Sequence, residues 1–178
     1  MTYTVPMQTA ALFIDPTSVM LLKLVLAMVL GGVIGTERAI LAHQPAGTRT
    51  FGLVALGACL FILISNYVTT AFINVADIQP TFMAAAIITG IGFLGGGLII
   101  FRHDALHGVT TAAGLWITAA IGAATGFGMF AVAVFATLLT LIMFTGMWYV
   151  ENKFKHWFED YRSGADESRS SDDPHPSV

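Results

Sequence analysis

The residues of this chain best suited to chemistry are polar side chains that stand at the borders of long apolar stretches. They are Glu37, Arg38, Arg49, Thr50, Arg102, Asp104, Thr110 and Thr111. An arginine presents several N–H donors in a planar fork, so a cluster of this kind can recognise a protein partner, an anionic lipid or a small anion. The alternative is that these residues only set membrane topology and pair with one another or with lipid headgroups.

Within this set, Arg49 is the strongest candidate for a functional residue. A short connection separates it from Glu37, and no other acidic residue lies in that connection. The sequence therefore predicts a partly desolvated ion pair between Arg49 and Glu37, of the kind in which loss of one partner is costly.

The sequence contains no arrangement typical of an enzyme. His43, His103 and His107 have neither a companion cysteine nor the paired spacing of a metal site, so we interpret them as solvated loop residues. Cys59 is the single cysteine and cannot form an intrachain disulfide. We predict no catalytic residue, no metal site, no cofactor and no nucleic-acid partner.

The apolar stretches that position these residues are long enough to cross a membrane. Only 11% of the 178 residues are charged, and residues 50–76, 78–101 and 105–150 carry no formal charge. A membrane span needs about 20 mainly apolar residues. The last stretch is too long for one span, and Gly126-Phe127-Gly128 is its natural break.

These stretches predict an all-α polytopic membrane bundle of five helices. The predicted helices are 18–36, 50–72, 81–101, 108–125 and 129–150. Lys23 lies one turn inside the first helix, where we expect its ammonium to extend to the outer headgroups.

The distribution of basic residues predicts the orientation. All Lys and Arg residues outside the spans fall on one side of a five-span bundle, which places the N-terminus outside and the C-terminus in the cytoplasm. The predicted organisation is a periplasmic segment, 1–17, the transmembrane domain, 18–150, an amphipathic interfacial helix, 151–162, and a disordered cytoplasmic tail, 163–178. The amphipathic helix suits the headgroup plane, and docking on a partner is the alternative.

Small residues four positions apart recur in the spans. The candidate packing residues are Gly31, Gly35, Gly92, Gly95, Gly96, Gly122 and Gly126. This spacing lets two helix backbones approach closely, either within one chain or across a dimer. A dinucleotide-binding loop at 90–95 is excluded because no strand, βαβ unit or acidic partner accompanies it. A glycine-rich helix can also be broken and expose its backbone to a substrate, as in transporters.

Two sets of segments resemble the signatures of the MgtC/SapB membrane protein family. The first comprises residues 31–38, 46–50 and 53–58, and the second comprises residues 90–97, 107–116 and 119–122. Where many members have Asn after the Arg-Thr pair, this chain has Phe51. Many members also carry a soluble C-terminal domain, and a short polar tail occupies that place here.

The resemblance implies a bacterial inner-membrane protein that is not an enzyme. It further implies a regulatory role in magnesium or ion homeostasis and in virulence, through membrane partners such as the ATP synthase. We also expect contact with membrane lipid and a homo-oligomer, with a dimer favoured. A small Mg²⁺ transporter or channel is the alternative, and a lipid-binding or scaffold protein is a third class.

The residues themselves weigh against a magnesium pathway. Mg²⁺ prefers oxygen ligands and is usually bound through carboxylates, whereas no acidic residue lies inside a predicted span. A pore lined by Asn66, Asn74 and the threonines of the spans is the remaining route for an ion.

Overall fold

The structure, a computed structural model, describes residues 16–41, 44, 46–71, 80–102, 105–147 and 149. The predicted amphipathic helix and tail lie outside these residues, as does most of the predicted periplasmic segment. The chain divides into two compact units, residues 1–140 and 141–178. The first unit contains all the packing described below, and the second is described only as the last turns of a helix and Tyr149.

Five helices in the described residues are long and apolar enough to cross a membrane. They are α1 (Pro16–Ile40), α2 (Thr48–Ala71), α3 (Pro80–Leu98), α4 (Val109–Gly126) and α5 (Phe130–Met147). The prediction of an all-α polytopic bundle is confirmed.

The first helix is longer than the sequence predicted. It begins at Pro16, a residue whose fixed φ suits a first helical turn. The end that the sequence predicts, near residue 36, is about one turn short, because the helix continues to Ile40 and takes Glu37 and Arg38 into its last turns. Both side chains are buried there, and the arginine lies where a cation is favoured by the helix dipole.

The predicted break between the last two spans is confirmed at a glycine in the left-handed conformation. Gly128 has φ of 82° and follows the C-terminus of α4. Its N–H donates to the carbonyl of Thr125 at 3.0 Å, and the N–H of Met129 donates to that of Ala124 at 2.9 Å. This is the Schellman pattern, which satisfies the last helical carbonyls while the chain reverses.

A small hairpin, which the sequence did not predict, joins α3 and α4. Strands β1 (Ile100–Arg102) and β2 (Ala105–His107) pair antiparallel, with Phe101 opposite Leu106. Gly108 then begins α4 with φ of 88°, and a Cβ there would collide with the carbonyl oxygen of Leu98. Only glycine suits this position on both counts.

Contacts between small residues set the order of the helices. Gly31 and Gly35 of α1 lie against Phe51 and Gly47 near the start of α2, so these two helices run antiparallel. Glycines at 122 and 126 of α4 lie against Ala55 and Cys59 of α2 in the same sequence order, so α2 and α4 run parallel. The central helices therefore alternate in direction, as a polytopic bundle requires.

Candidate functional site

A buried polar contact joins the ends of α1 and α4. The guanidinium of Arg38 donates from Nη2 to Oγ1 of Thr111 at 2.9 Å. Gln44, in the connection after α1, donates its backbone N–H to the carbonyl of Arg38 at 3.1 Å. Its side-chain oxygen lies 3.5 Å from the Thr111 hydroxyl, which can donate to it. We refer to Glu37, Arg38, Gln44 and Thr111 as the buried polar cluster.

Glu37 places a carboxylate in the same cluster. Its side chain is 9% exposed, and its Oε2 atom has no hydrogen-bond partner among the described residues. The next residue, Arg38, carries a positive charge that partly compensates the negative charge of this carboxylate. A buried carboxylate needs such compensation because desolvation of a lone charge is expensive.

The predicted ion pair between Glu37 and Arg49 is wrong. Arg49 is exposed, and no ion pair joins the two side chains in the described part of the chain. The reason is the rotation of α2. Thr48 faces α1, where its hydroxyl lies 2.9 Å from that of Thr36. The next residue is turned about 100° around the helix and faces away.

Arg49 instead lies on the wall of a cavity between α2 and α3. The cavity has a volume of about 710 Å³, and Ala119 of α4 also lines it. Apart from Arg49 and Thr50, the residues that line the cavity are apolar residues and glycines. No hydrogen bond or ion pair engages Arg49 within the described residues.

The eight polar residues singled out in the sequence therefore separate into different environments. Thr111 is buried, whereas its neighbour Thr110 is exposed. Arg102 belongs to β1, and its side chain lies outside the description, as does Asp104. Sequence reasoning missed Gln44. The only sequence feature that pointed to Gln44 was its polar side chain in the short connection after Arg38.

At the other end of the bundle, Lys23 has a partner within the protein that the sequence did not predict. Its ammonium donates to the carbonyl of Gly126 at 3.1 Å, and its reach to the outer headgroups stays a prediction. It also lies 6.0 Å from the ring centre of Phe130. A cation at the C-terminus of a helix satisfies an orphan carbonyl and complements the helix dipole.

The candidate packing glycines also differ in environment. A Cβ on Gly31 would lie 2.6 Å from the backbone oxygen of Phe51 in α2, and a Cβ on Gly35 would lie 2.6 Å from that of Gly47, just before α2. Gly122 and Gly126 also lie against α2, with Gly122 the closer of the two, and Gly95 makes ordinary contact with Ala112.

Gly92 and Gly96 are exposed, and a Cβ on either would meet no atom within 4 Å. These two residues do not pack helices within the described chain. A role at a subunit face stays a prediction.

Residues 24–153 match the family model described as the MgtC family. The protein named "Putative magnesium transporter YhiD" from Escherichia coli K12 is 36% identical over 129 residues, which are 71% of this chain and 60% of that protein. An uncharacterised protein of Haemophilus influenzae is 40% identical over 136 residues, 74% of this chain and 57% of that protein. Protein MgtC of Brucella abortus is 43% identical over 115 residues, 65% of this chain and 45% of that protein.

The chain thus spans about half the length of these relatives, and no solved structure is significantly similar to it. The matched region includes most of α1, all of the other four helices, the buried polar cluster and the cavity. With five helices able to span a membrane and a family match over most of its length, this multi-pass membrane protein belongs to the MgtC family.

Proposed function

We propose that this protein is a non-enzymatic regulator of magnesium homeostasis in the bacterial inner membrane, acting through a membrane partner. The observation that carries this proposal is the scarcity of acidic side chains in the described part of the bundle. Glu37 is the single carboxylate among the described residues, and it lies beside Arg38. A guanidinium next to this carboxylate opposes Mg²⁺ at that position, since both cations compete for the same oxygen atoms.

The buried hydroxyls of the spans add support. Thr118, Thr125 and Thr137 each donate to a carbonyl one turn earlier in their own helix, at 2.7 to 2.8 Å. Their donors are thereby satisfied locally and are not directed into a shared polar route through the bundle.

One end of the bundle presents an exposed arginine that suits recognition of a partner. Arg38 ties the ends of α1 and α4 together, and Arg49 is exposed on the same end of α2. We place this end in the cytoplasm because Lys and Arg concentrate there. The partner we propose is another membrane protein, such as the ATP synthase, and a role in virulence would follow from the same interaction.

A small Mg²⁺ transporter is the second candidate function. It is supported by the name of the Escherichia coli relative and by Oε2 of Glu37, which is buried without a hydrogen-bond partner among the described residues. If an ion passes through this bundle, that oxygen is the first ligand to test.

Magnesium flux into liposomes separates the two functions. We expect purified protein to give no more flux than empty liposomes, while the same protein restores low-magnesium growth to a strain that lacks its own copy. We expect Arg38→Gln to abolish that growth. Flux that Glu37→Gln removes, with the protein still folded, would establish the transporter in place of the regulator.

A further inference from the structure

The cavity between α2 and α3 has the form of a slot for an extended apolar chain. Gly57 and Gly90 line the slot without a side chain, and a Cβ on either would meet no atom of the described residues within 4 Å. Leu53, Phe61 and Leu94 also line the slot and are each at least half exposed. The slot is therefore open along the surface that faces the membrane hydrocarbon.

The length of the slot matches one leaflet of a bilayer. On α2 the lining runs from Arg49 to Phe61, which is about 18 Å at 1.5 Å per residue. On α3 it runs from Met83 to Leu94, about 16 Å. Half of the hydrocarbon core is about 15 Å thick. On α2 the slot thus extends from the start of the helix to near its middle.

The two ends of the slot differ in chemistry. Arg49 and the exposed Thr50 stand at the border, and the lining beyond them is hydrocarbon and glycine. Within the described residues Arg49 has no hydrogen-bonding or ionic partner. A guanidinium at headgroup level, above an apolar slot, complements a phosphate that carries an acyl chain.

The slot is too small to enclose a protein helix. An α-helix with its side chains is at least 10 Å across, so an 18 Å segment of helix occupies about 1,400 Å³. The slot holds about 710 Å³. An extended acyl chain is much thinner than a helix and can enter a slot of this volume.

We propose that this slot binds one acyl chain of an anionic phospholipid, with the lipid phosphate held by Arg49. A lipid without a cationic headgroup is favoured, because no ammonium then competes with the guanidinium for the phosphate. The site goes beyond the regulatory function proposed above, and its test depends on neither magnesium nor growth.

Native mass spectrometry of the detergent-purified protein tests this site. Phosphatidylglycerol and phosphatidylcholine with identical acyl chains serve as the probes. We expect the affinity for phosphatidylglycerol to exceed that for phosphatidylcholine. Arg49→Ala should lower the former about tenfold, the effect of losing one charge-assisted hydrogen bond. Arg49→Lys should retain most of it, since the positive charge remains.

Two glycine variants test the apolar part of the slot. Gly57→Leu adds a side chain into the open slot and should lower binding of both lipids. Gly92→Leu is the matched control, because Gly92 is exposed, has equal room for a side chain and does not line the slot. It should leave lipid binding unchanged. Helix content by circular dichroism verifies that each variant is folded.

Three results would overturn the proposal. The first is equal binding of the two lipids by the unaltered protein, and the second is unchanged phosphatidylglycerol binding in Arg49→Ala. The third is a Gly57→Leu variant that keeps its lipid but loses a self-association that the unaltered protein shows. That outcome would assign the slot to a second copy of the chain.

Discussion

Thr111→Val tests whether the buried polar cluster holds α1 against α4. The change keeps the shape of the side chain and removes the hydroxyl that accepts from Arg38 at 2.9 Å. Thr111 is 3% exposed and Arg38 is 6% exposed, so water does not readily replace the lost acceptor. The variant should therefore be less stable than the unaltered protein.

The size of the loss follows from the charge of the donor. Hydrogen bonds between membrane helices contribute about 0.6 kcal/mol on average. A hydrogen bond to a charged group contributes about 1.5–3 kcal/mol. Because the donor here is a buried guanidinium, we expect the free energy of unfolding to fall by about 1.5 kcal/mol. The 3.5 Å contact with Gln44 is too long to add much.

Reversible unfolding in mixed SDS micelles, followed by circular dichroism, measures this change. Thr110→Val is the matched control, because Thr110 is the exposed neighbour on the same helix and should change stability by less than about 0.5 kcal/mol. A double-mutant cycle with Arg38→Gln should give a coupling energy of about 1 kcal/mol. Equal effects of the two threonine variants, or zero coupling, would refute the reasoning.

Three further predictions concern packing, topology and the opposite end of the bundle. Gly35→Ala should destabilise the fold by more than about 1 kcal/mol, because its Cβ would lie 2.6 Å from a backbone oxygen. Gly92→Ala should not lower stability when both variants are unfolded in SDS, because there is room for the methyl group and alanine favours the helix. Reporter tags should place Asp77 in the periplasm and residues 163–178 in the cytoplasm, and a cytoplasmic Asp77 would contradict the five-span topology. Lys23→Met should lower thermal stability through loss of the hydrogen bond that caps α4, and a melting temperature equal to that of the unaltered protein would show that the cap contributes nothing.

The number of spans and the position of the last turn were readable from the sequence because they depend on local properties. An uncharged stretch of sufficient length must lie in hydrocarbon, whatever it packs against. Gly128 adopts the left-handed conformation that ends a helix, which is a property of glycine itself. The family resemblance was equally accessible, since it rests on short segments in a fixed order.

The end of the first helix was harder to predict from the sequence. A charged pair at residues 37 and 38 looks like the border of a span. The structure instead buries both residues, because Arg38 finds an acceptor on α4 that is 73 positions away in the sequence. No local pattern reports such a partner.

Only the tertiary structure decided which glycines pack against another helix and which arginine lines the cavity. The GxxxG spacing is the same at Gly31/Gly35 and at Gly92/Gly96, yet among the residues that the structure describes only the first pair lies against another helix. Spacing fixes which residues share a face of a helix, whereas the rotation and neighbours of that helix decide what the face contacts. The same rotation turns Arg49 away from Glu37 and toward the cavity. The sequence thus determined the spans, and packing between them determined the site.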